Sequence, residues 1–364
     1  MNKHKKNRII TVVLAGIILI LAFWIMNYGM FLFFNPTSTQ IKQEESLGED
    51  DLEIVAQNLE IPWEIAFLPN GQMLVTERQG NLLIIGKDRK ELRVTGVKHV
   101  GEGGLMGLAV DPNFTENNFI YLYMTTESGE GLENRIERYK LENNELKDRQ
   151  VIISGIPGAR YHDGGEIVFG PDSALYATTG DAGNEESAQD LNYLGGKILR
   201  IKEGEVEIYS YGHRNPQGLC FDQEERLWAT EHGRSGVKSG MDELNLIEKG
   251  GNYGWPEIEG SERKEGMKTP IINSGADETW APAGIACLPQ GIVFSGLRGE
   301  SLYVYNIATD EIKAHLRKEV GRIRAVTMHE GYLYFSTSNK DGRGSPGKGD
   351  DKIYRIFVDK IMSS

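Results

Sequence analysis

Cysteine is nearly absent: Cys220 and Cys287 are the only two in 364 residues, which excludes a small disulfide-rich scaffold. No Cys/His spacing suggests a zinc site. Basic charge is also short, with 40 Lys and Arg against 53 Asp and Glu. The resulting net charge of −13 argues against a nucleic-acid partner and suits solubility. Long amphipathic helical patterns are missing after Phe34. Glycine, in contrast, is abundant at 44 residues where about 25 would be ordinary, and no collagen period accompanies it. A chain full of tight turns follows.

Long uncharged runs are limited to one. Lys3, Lys5, Lys6 and Arg8 precede residues 9–34, which carry no charge, and about 20 apolar residues suffice to cross a bilayer. This reads as a single transmembrane helix, a signal anchor, with residues 1–8 as a cytoplasmic tail by the positive-inside rule. A cleavable signal peptide is the competing reading, but its apolar region is shorter and ends in a small-residue cleavage site. Residues 35–52 are polar and acidic, as in a flexible linker. The expectation is a single-pass protein of the cell membrane whose main domain, residues 53–360, is extracytoplasmic.

That domain is repetitive. WEIAFLPNGQMLVTE from Trp63, LMGLAVDPNFTENNFIYLY from Leu105, GGEIVFGPDSALYATTG from Gly164, PQGLCFDQEERLWATE from Pro216, PAGIACLPQGIVFSG from Pro282 and RIRAVTMHEGYLYFSTS from Arg322 share one pattern. Each has an apolar strand, a turn and a second β-rich run. Their anchors Ile65, Leu108, Ile167, Leu219, Ile285 and Val326 are spaced 43, 59, 52, 66 and 41 residues apart. A four-stranded propeller blade needs about 40 residues, so the pattern predicts an all-β, six-bladed β-propeller with the excess held in loops. Cys220 and Cys287 sit at neighbouring, non-equivalent positions of two repeats. On alternating strands they should point to different faces, which predicts two buried free thiols, with a disulfide as the alternative.

In a propeller the loops at one end of the channel bind ligands. Four polar clusters interrupt the repeats. His162, in RYHDGGE, lies 19 residues before Asp181, and a strand out and back can make that carboxylate the orienting partner of a general base. The plainer alternative is a turn histidine without a task. Arg214 and Asn215, in YGHRNPQG, offer a cation and an amide suited to a carbonyl or carboxylate. Residues 230–256, with Glu231, His232, Asp242 and Glu243 among glycines, can expose carbonyl and carboxylate oxygens of the kind calcium takes, although the EF-hand spacing is missing. Arg322 and Arg324 share one strand face and call for an anion, from a ligand or from acidic side chains of the ring.

Taken in order, IPWEIAFLPNGQMLVTER, GEGGLMGLAVDPNF, HDGGEIVFGPD, GDAGNEESAQDLNYLGGKILRI, YGHRNPQGLCFD, TEHG, DELNLIEKGGNYGWP, APAGI and RIRAV resemble the soluble glucose/sorbosone dehydrogenases that depend on pyrroloquinoline quinone (PQQ). The likeness covers nearly all of residues 55–357. It implies PQQ and calcium bound on top of the ring, a small sugar substrate and a separate electron acceptor. His162 would be the general base and Asp181 its partner, with Arg214 stabilising charge at the quinone. Glu102, His162, Arg214, Asn215, His232, Thr279, Arg322 and Arg324 would contact the cofactor. The carbonyls of Gly233 and Arg234 fall where the family holds calcium.

Several positions depart from the family pattern. Asp163 replaces an asparagine, which places a charge beside the base and should weaken an anionic cofactor. Arg234 replaces a proline in a lengthened segment, Ala308 lies near the place of a frequent lysine, and Glu102 stands where some members have glutamine. The leading expectation is oxidation of aldoses at the anomeric carbon. The alternatives are a propeller that has lost the quinone and only binds a ligand, and a calcium-dependent lactonase, which the cluster of Arg214, Arg322 and Arg324 disfavours.

Overall fold

The inner strands start the repeats, and each is followed by a turn that its own sequence specifies. In blade one, Pro62–Phe67 leads into a tight turn in which Gly71 takes φ +81° and Leu68 N–H donates to Gln72 O at 2.9 Å. A computed structural model describes residue 39 and residues 41–43, 51–129, 131–236 and 239–362. The strands form six antiparallel sheets arranged as the blades of a propeller. Their inner strands are Pro62–Phe67, Leu105–Val110, Ile167–Phe169, Pro216–Phe221, Pro282–Leu288 and Ile323–His329. The four antiparallel strands of each of blades one to five are continuous in sequence. Blade six takes its outermost strand from the other end of the chain: Glu53–Ala56 pairs antiparallel with Ile353–Phe357 and closes the ring.

Each boundary between blades has its own apolar cluster, so the core is a ring rather than a centre. Leu74, Leu82 and Ile84 of blade one pack with Leu105, Leu108 and Leu122 of blade two. Trp228 of blade four packs with Ile285, Phe294 and Tyr303 of blade five. Burying each such side chain contributes about 1.5–3 kcal/mol.

The repeat also sets what lines the channel. The position before each anchor is Gly107, Gly218, Gly284, Ala325, Glu64 or Glu166. A Cβ on Gly107 would lie 2.2 Å from Gly165 O, on Gly218 2.4 Å from Ala283 O, and on Gly284 2.6 Å from Arg324 O. Glycine therefore lets neighbouring inner strands close on one another. Hydroxyls one strand out fasten the same contacts: Thr76 donates to Met106 O, Thr230 to Ala283 O, Ser295 to Arg324 O and Ser336 to Pro62 O. Glu64 and Glu166 bond to each other. Burial raises Glu64 to about 7, and burial together with the nearby Glu64 charge raises Glu166.

Two expectations change. Cys220 and Cys287 form a disulfide with Cα atoms 5.7 Å apart. Face alternation is a rule within one sheet, whereas these residues lie on inner strands of adjacent blades. The close contact of Gly218 with Ala283 and Ile285 sets their stagger and brings the two sulfurs together. Within the stretch expected to be a linker, Ile41–Gln43 adds a parallel strand to Glu311–His315 of blade five, and Lys42 pairs with Glu311. The tail at 1–8, the anchor at 9–34 and most of the linker lie outside the described residues. Among the described residues, no helix is long and apolar enough to cross a membrane.

Candidate active site

A cavity of about 630 Å³ opens where the connections between blades enter the inner strands. Glu102, His162, Arg214, His232, Gly233, Arg234, Thr279 and Arg322 line it, as do Tyr161, Asp242, Arg298 and Arg343. Asn215 and Arg324 are buried beside it.

His162 reaches this mouth on the connection from blade two to blade three, in a left-handed conformation with φ +62°. The local packing requires that bend. His162 O receives Ala182 N–H at 3.1 Å, and a Cβ on Gly180 would come within 1.9 Å of the same oxygen. Its N–H donates to Glu102 Oε2 at 3.1 Å. Its Nδ1 lies 2.8 Å from Asp181 Oδ1. A carboxylate only accepts, so Nδ1 carries the hydrogen and Nε2 is left as a proton acceptor. Asp181 is fully buried, and its other oxygen takes the indole N–H of Trp255 at 2.9 Å.

Arg214 begins the approach to blade four. Its backbone N–H is held by Glu231, whose second oxygen takes His213 Nδ1 at 2.8 Å. The guanidinium donates to His232 O at 3.4 Å and Ser235 Oγ at 3.1 Å, with its carbon 5.4 Å from the Trp255 ring centre. Burial lowers its pKa, yet an arginine so lowered stays cationic. Asn215 Oδ1 accepts from Gly164 N–H at 3.0 Å, while its Nδ2 is buried without a partner.

The two arginines of blade six do different work. Arg322 is bound to Asp341 at 2.7 and 3.0 Å and to Leu297 O at 3.0 Å, so the ring itself supplies an anion for it. Among the described residues Arg324 has no carboxylate partner. It lies 5.4 Å over the Trp63 ring, donates to Gln217 Oε1 at 3.2 Å and leaves Nε buried and unpartnered. Burial, with Arg78 and Arg322 nearby, pushes it down to about 9.

Glu102 accepts from His162 N–H and pairs with Arg343 at 2.9 Å. Burial pushes its carboxyl up, but His232, the His162 N–H and Arg343 outweigh this and hold it down to about 2. His232 is itself lowered by burial and is neutral at pH 7, so its share appears only in acid. His232 Nε2 is buried without a partner. Thr279, in the cavity wall, is engaged by donating to Asp242 Oδ2 at 2.9 Å.

Asp163 adjoins the base in sequence but does not line the cavity. Its Oδ1 turns toward blade two and accepts from Asn134 Nδ2 and Ala159 N–H, both at 3.0 Å. Burial raises the carboxyl from 3.8 to about 6, and Oδ2 has no partner. A raised carboxyl contributes stability below its unfolded value that is lost as pH rises through about 6. Asp163→Asn is therefore expected to stabilise the chain by about 1–2 kcal/mol at pH 8, with the gain vanishing near pH 4. Thermal melts at the two pH values check it.

Sequence reading did not single out Arg298, Asp341 or Trp255. Arg298 follows directly on blade five's second strand, Gly291–Gly296, is exposed in the cavity wall, and supplies a cation that the residues around Ala308 do not. Asp341 and Trp255 come from long loops, where only folding shows what a side chain meets.

The donor set suits the quinone that the resemblance implies. Among the described residues, Arg214, Arg298 and Arg324 are cations without a carboxylate bound to them, and Asn215 Nδ2, Arg324 Nε and His232 Nε2 are buried without protein partners. A flat tricarboxylate with carbonyl edges satisfies such groups. Calcium fits less well. Among the described residues no group of three or more His, Cys, Asp or Glu can hold a metal ion. Asp242 is already consumed by Gly233 N–H, Thr279, Trp280 N–H and Ala281 N–H. Calcium takes about six to eight oxygens, so the carbonyls of Gly233 and Arg234 could contribute only part of a shell.

Known proteins match along most of this ring. The quinoprotein glucose dehydrogenase B of Acinetobacter calcoaceticus is 29% identical over 327 residues, covering 77% of this chain and 66% of the relative. The aldose sugar dehydrogenase YliI of Escherichia coli (strain K12) is 30% identical over 342 residues, covering 80% and 91%. The solved structure of the PQQ-bound aldose sugar dehydrogenase from Streptomyces coelicolor superposes with a TM-score of 0.78 at 35% identity, covering 88% of this chain and 99% of that one. The Glucose / Sorbosone dehydrogenase family model matches residues 59–354, and the chain belongs to that family.

Proposed function

We propose that this chain oxidises aldose sugars at the anomeric carbon, with PQQ held in the cavity lined by Arg214, His162 and Arg298. The observation that carries this is the His162–Asp181 pair at 2.8 Å, set at the mouth of a cation-rich cavity in an acidic protein. His162 Nε2 takes the proton of the anomeric hydroxyl, and the buried Asp181 carboxylate steadies the imidazolium that forms. Arg214 presents a fixed positive charge that favours negative charge developing beside it, at no cost of reorganisation. Arg324, Arg298 and Asn215 hold the cofactor's acidic groups. When bound, the quinone supplies the two-electron acceptor for the hydride, a chemistry that side chains lack. The sugar leaves as a lactone, and the electrons pass to a separate acceptor.

Were calcium to bind, the Gly233 and Arg234 carbonyls would supply only part of its oxygen shell. Residues 9–34 anchor the protein in the cell membrane with the ring extracytoplasmic. The Cys220–Cys287 disulfide supports this placement, since such bonds persist in oxidising compartments.

The test is reconstitution of the purified full-length chain. Quinone binding is followed by tryptophan fluorescence with calcium and with chelator, and dye reduction is followed with a panel of aldoses. Saturable binding and sugar-dependent turnover are expected, and the chelator arm reports whether either needs calcium. Absence of both binding and turnover would leave a ligand-binding propeller as the better reading.

A further inference from the structure

The longest interruption of the repeat spans blade four, where the chain between Glu243–Ile247 and Ile272–Asn273 makes a wide excursion. Part of that excursion is bound to blade three. Tyr211 N–H donates to Gly251 O at 3.0 Å, Tyr253 N–H to Tyr211 O at 2.8 Å, and Trp255 N–H to Gly212 O at 2.9 Å. Gln189, in the short turn Glu185–Gln189 that follows Asp181, exchanges amide hydrogen bonds with Asn252 at 2.8 and 3.0 Å. It also donates to Trp255 O at 2.7 Å. The ammonium of Lys197, fully buried, fixes the same turn through the carbonyls of Ser187, Ala188 and Gly195 at 2.9, 3.1 and 2.6 Å. The Trp255 backbone is therefore clamped from the blade that carries Asp181.

The clamp aims one side chain at two functional groups. The indole N–H of Trp255 bonds Asp181 Oδ2 at 2.9 Å, and its ring centre lies 5.4 Å from the Arg214 guanidinium carbon. We propose that Trp255 is a positioning residue: its N–H locks the Asp181 carboxylate so that Oδ1 stays on His162 Nδ1, while its ring sets the plane of Arg214. A carboxylate can turn about its last bond. Donors on both oxygens, Trp255 on one and Gly183 N–H at 2.8 Å on the other, remove that freedom. The blade-four excursion thereby ties the base to the cation.

Trp255→Phe in the full-length chain separates the two tasks, because the ring stays while the N–H goes. In the protein without quinone, the low-field proton resonance of His162 Nδ1–H, assigned by its absence in His162→Asn, is expected to broaden or vanish. In the quinone-loaded protein, on the dehydrogenase reading, kcat is expected to fall by about tenfold to a hundredfold. KM for the sugar and affinity for the quinone should hold. Trp255→Leu, which removes the ring as well, should also weaken quinone binding. Gln189→Ala, which loosens the clamp, should reproduce the Phe result in smaller degree and serves if the Phe variant does not fold. A Phe variant with the wild-type resonance and wild-type kcat would overturn the proposal. If the wild type neither binds quinone nor turns over, the dehydrogenase reading fails, and the resonance comparison still decides whether Trp255 positions the pair.

Discussion

Replacing His162 with asparagine is expected to lower kcat by about a hundredfold to ten-thousandfold, with quinone binding and folding largely retained. Asparagine is the right substitute because His162 has φ +62°, a conformation that asparagine adopts more readily than alanine or glutamine. The imidazole is partly exposed, so no packed core is lost with it. What disappears is the acceptor at Nε2. Asp181→Asn is the matching control, since both Asp181 oxygens accept hydrogen bonds, from His162 and Gly183 on one side and Trp255 on the other. An amide has only one accepting end, so either orientation sets N–H against N–H. Turnover should fall there too, while an equilibrium titration with quinone stays near wild type. Full turnover in His162→Asn would remove the base from the mechanism.

The ring was legible in sequence because each repeat carries its own turn, and a turn is a local matter. The anchors Ile65 to Val326 all fall on inner strands, and the excess spacing falls in loops. His162, Asp181 and Arg214 were legible for a related reason: His162 and Arg214 precede inner strands, Asp181 follows the antiparallel second strand of blade three, and all three fall at the same end of their blades. Relations between blades were harder. The cysteine pairing depends on how one sheet is rotated against the next, set by the contact of Gly218 with Ala283, and alternation along a strand carries no information about that. The direction in which Asp163 points was equally hidden. This residue adjoins the base in sequence, but the left-handed bend at His162 turns its carboxylate to Asn134 on the neighbouring blade. Arg322 and Arg324 share a strand and still meet different partners, because Asp341 arrives from a loop that no periodicity predicts. Local pattern fixed the frame, and contacts between sheets decided what each polar side chain faces.

Removing the bridge, by Cys220→Ala with Cys287→Ala, is expected to destabilise the ring without silencing it. The cysteines are 67 residues apart, and closing a loop of that size removes about 4 kcal/mol of unfolded-chain entropy. For a chain of this size the loss corresponds to a fall in Tm on the order of 8 °C. The enclosed loop is most of blade four, including His232, Asp242 and the excursion that carries Trp255. Local opening of that blade should therefore rise, visible as faster amide exchange at strand Glu243–Ile247. Function at 25 °C should persist, because the bridge lines a second cavity, of about 580 Å³, formed by the far ends of the inner strands. The proposed site lies at their starts. That second cavity also gives a reductant a path to the sulfurs, so reduced wild type and the alanine pair should melt together. If the alanine pair melts early while reductant leaves wild type unchanged, the thiols are not bonded in the purified protein. Peptide mapping without reduction would then show both as free.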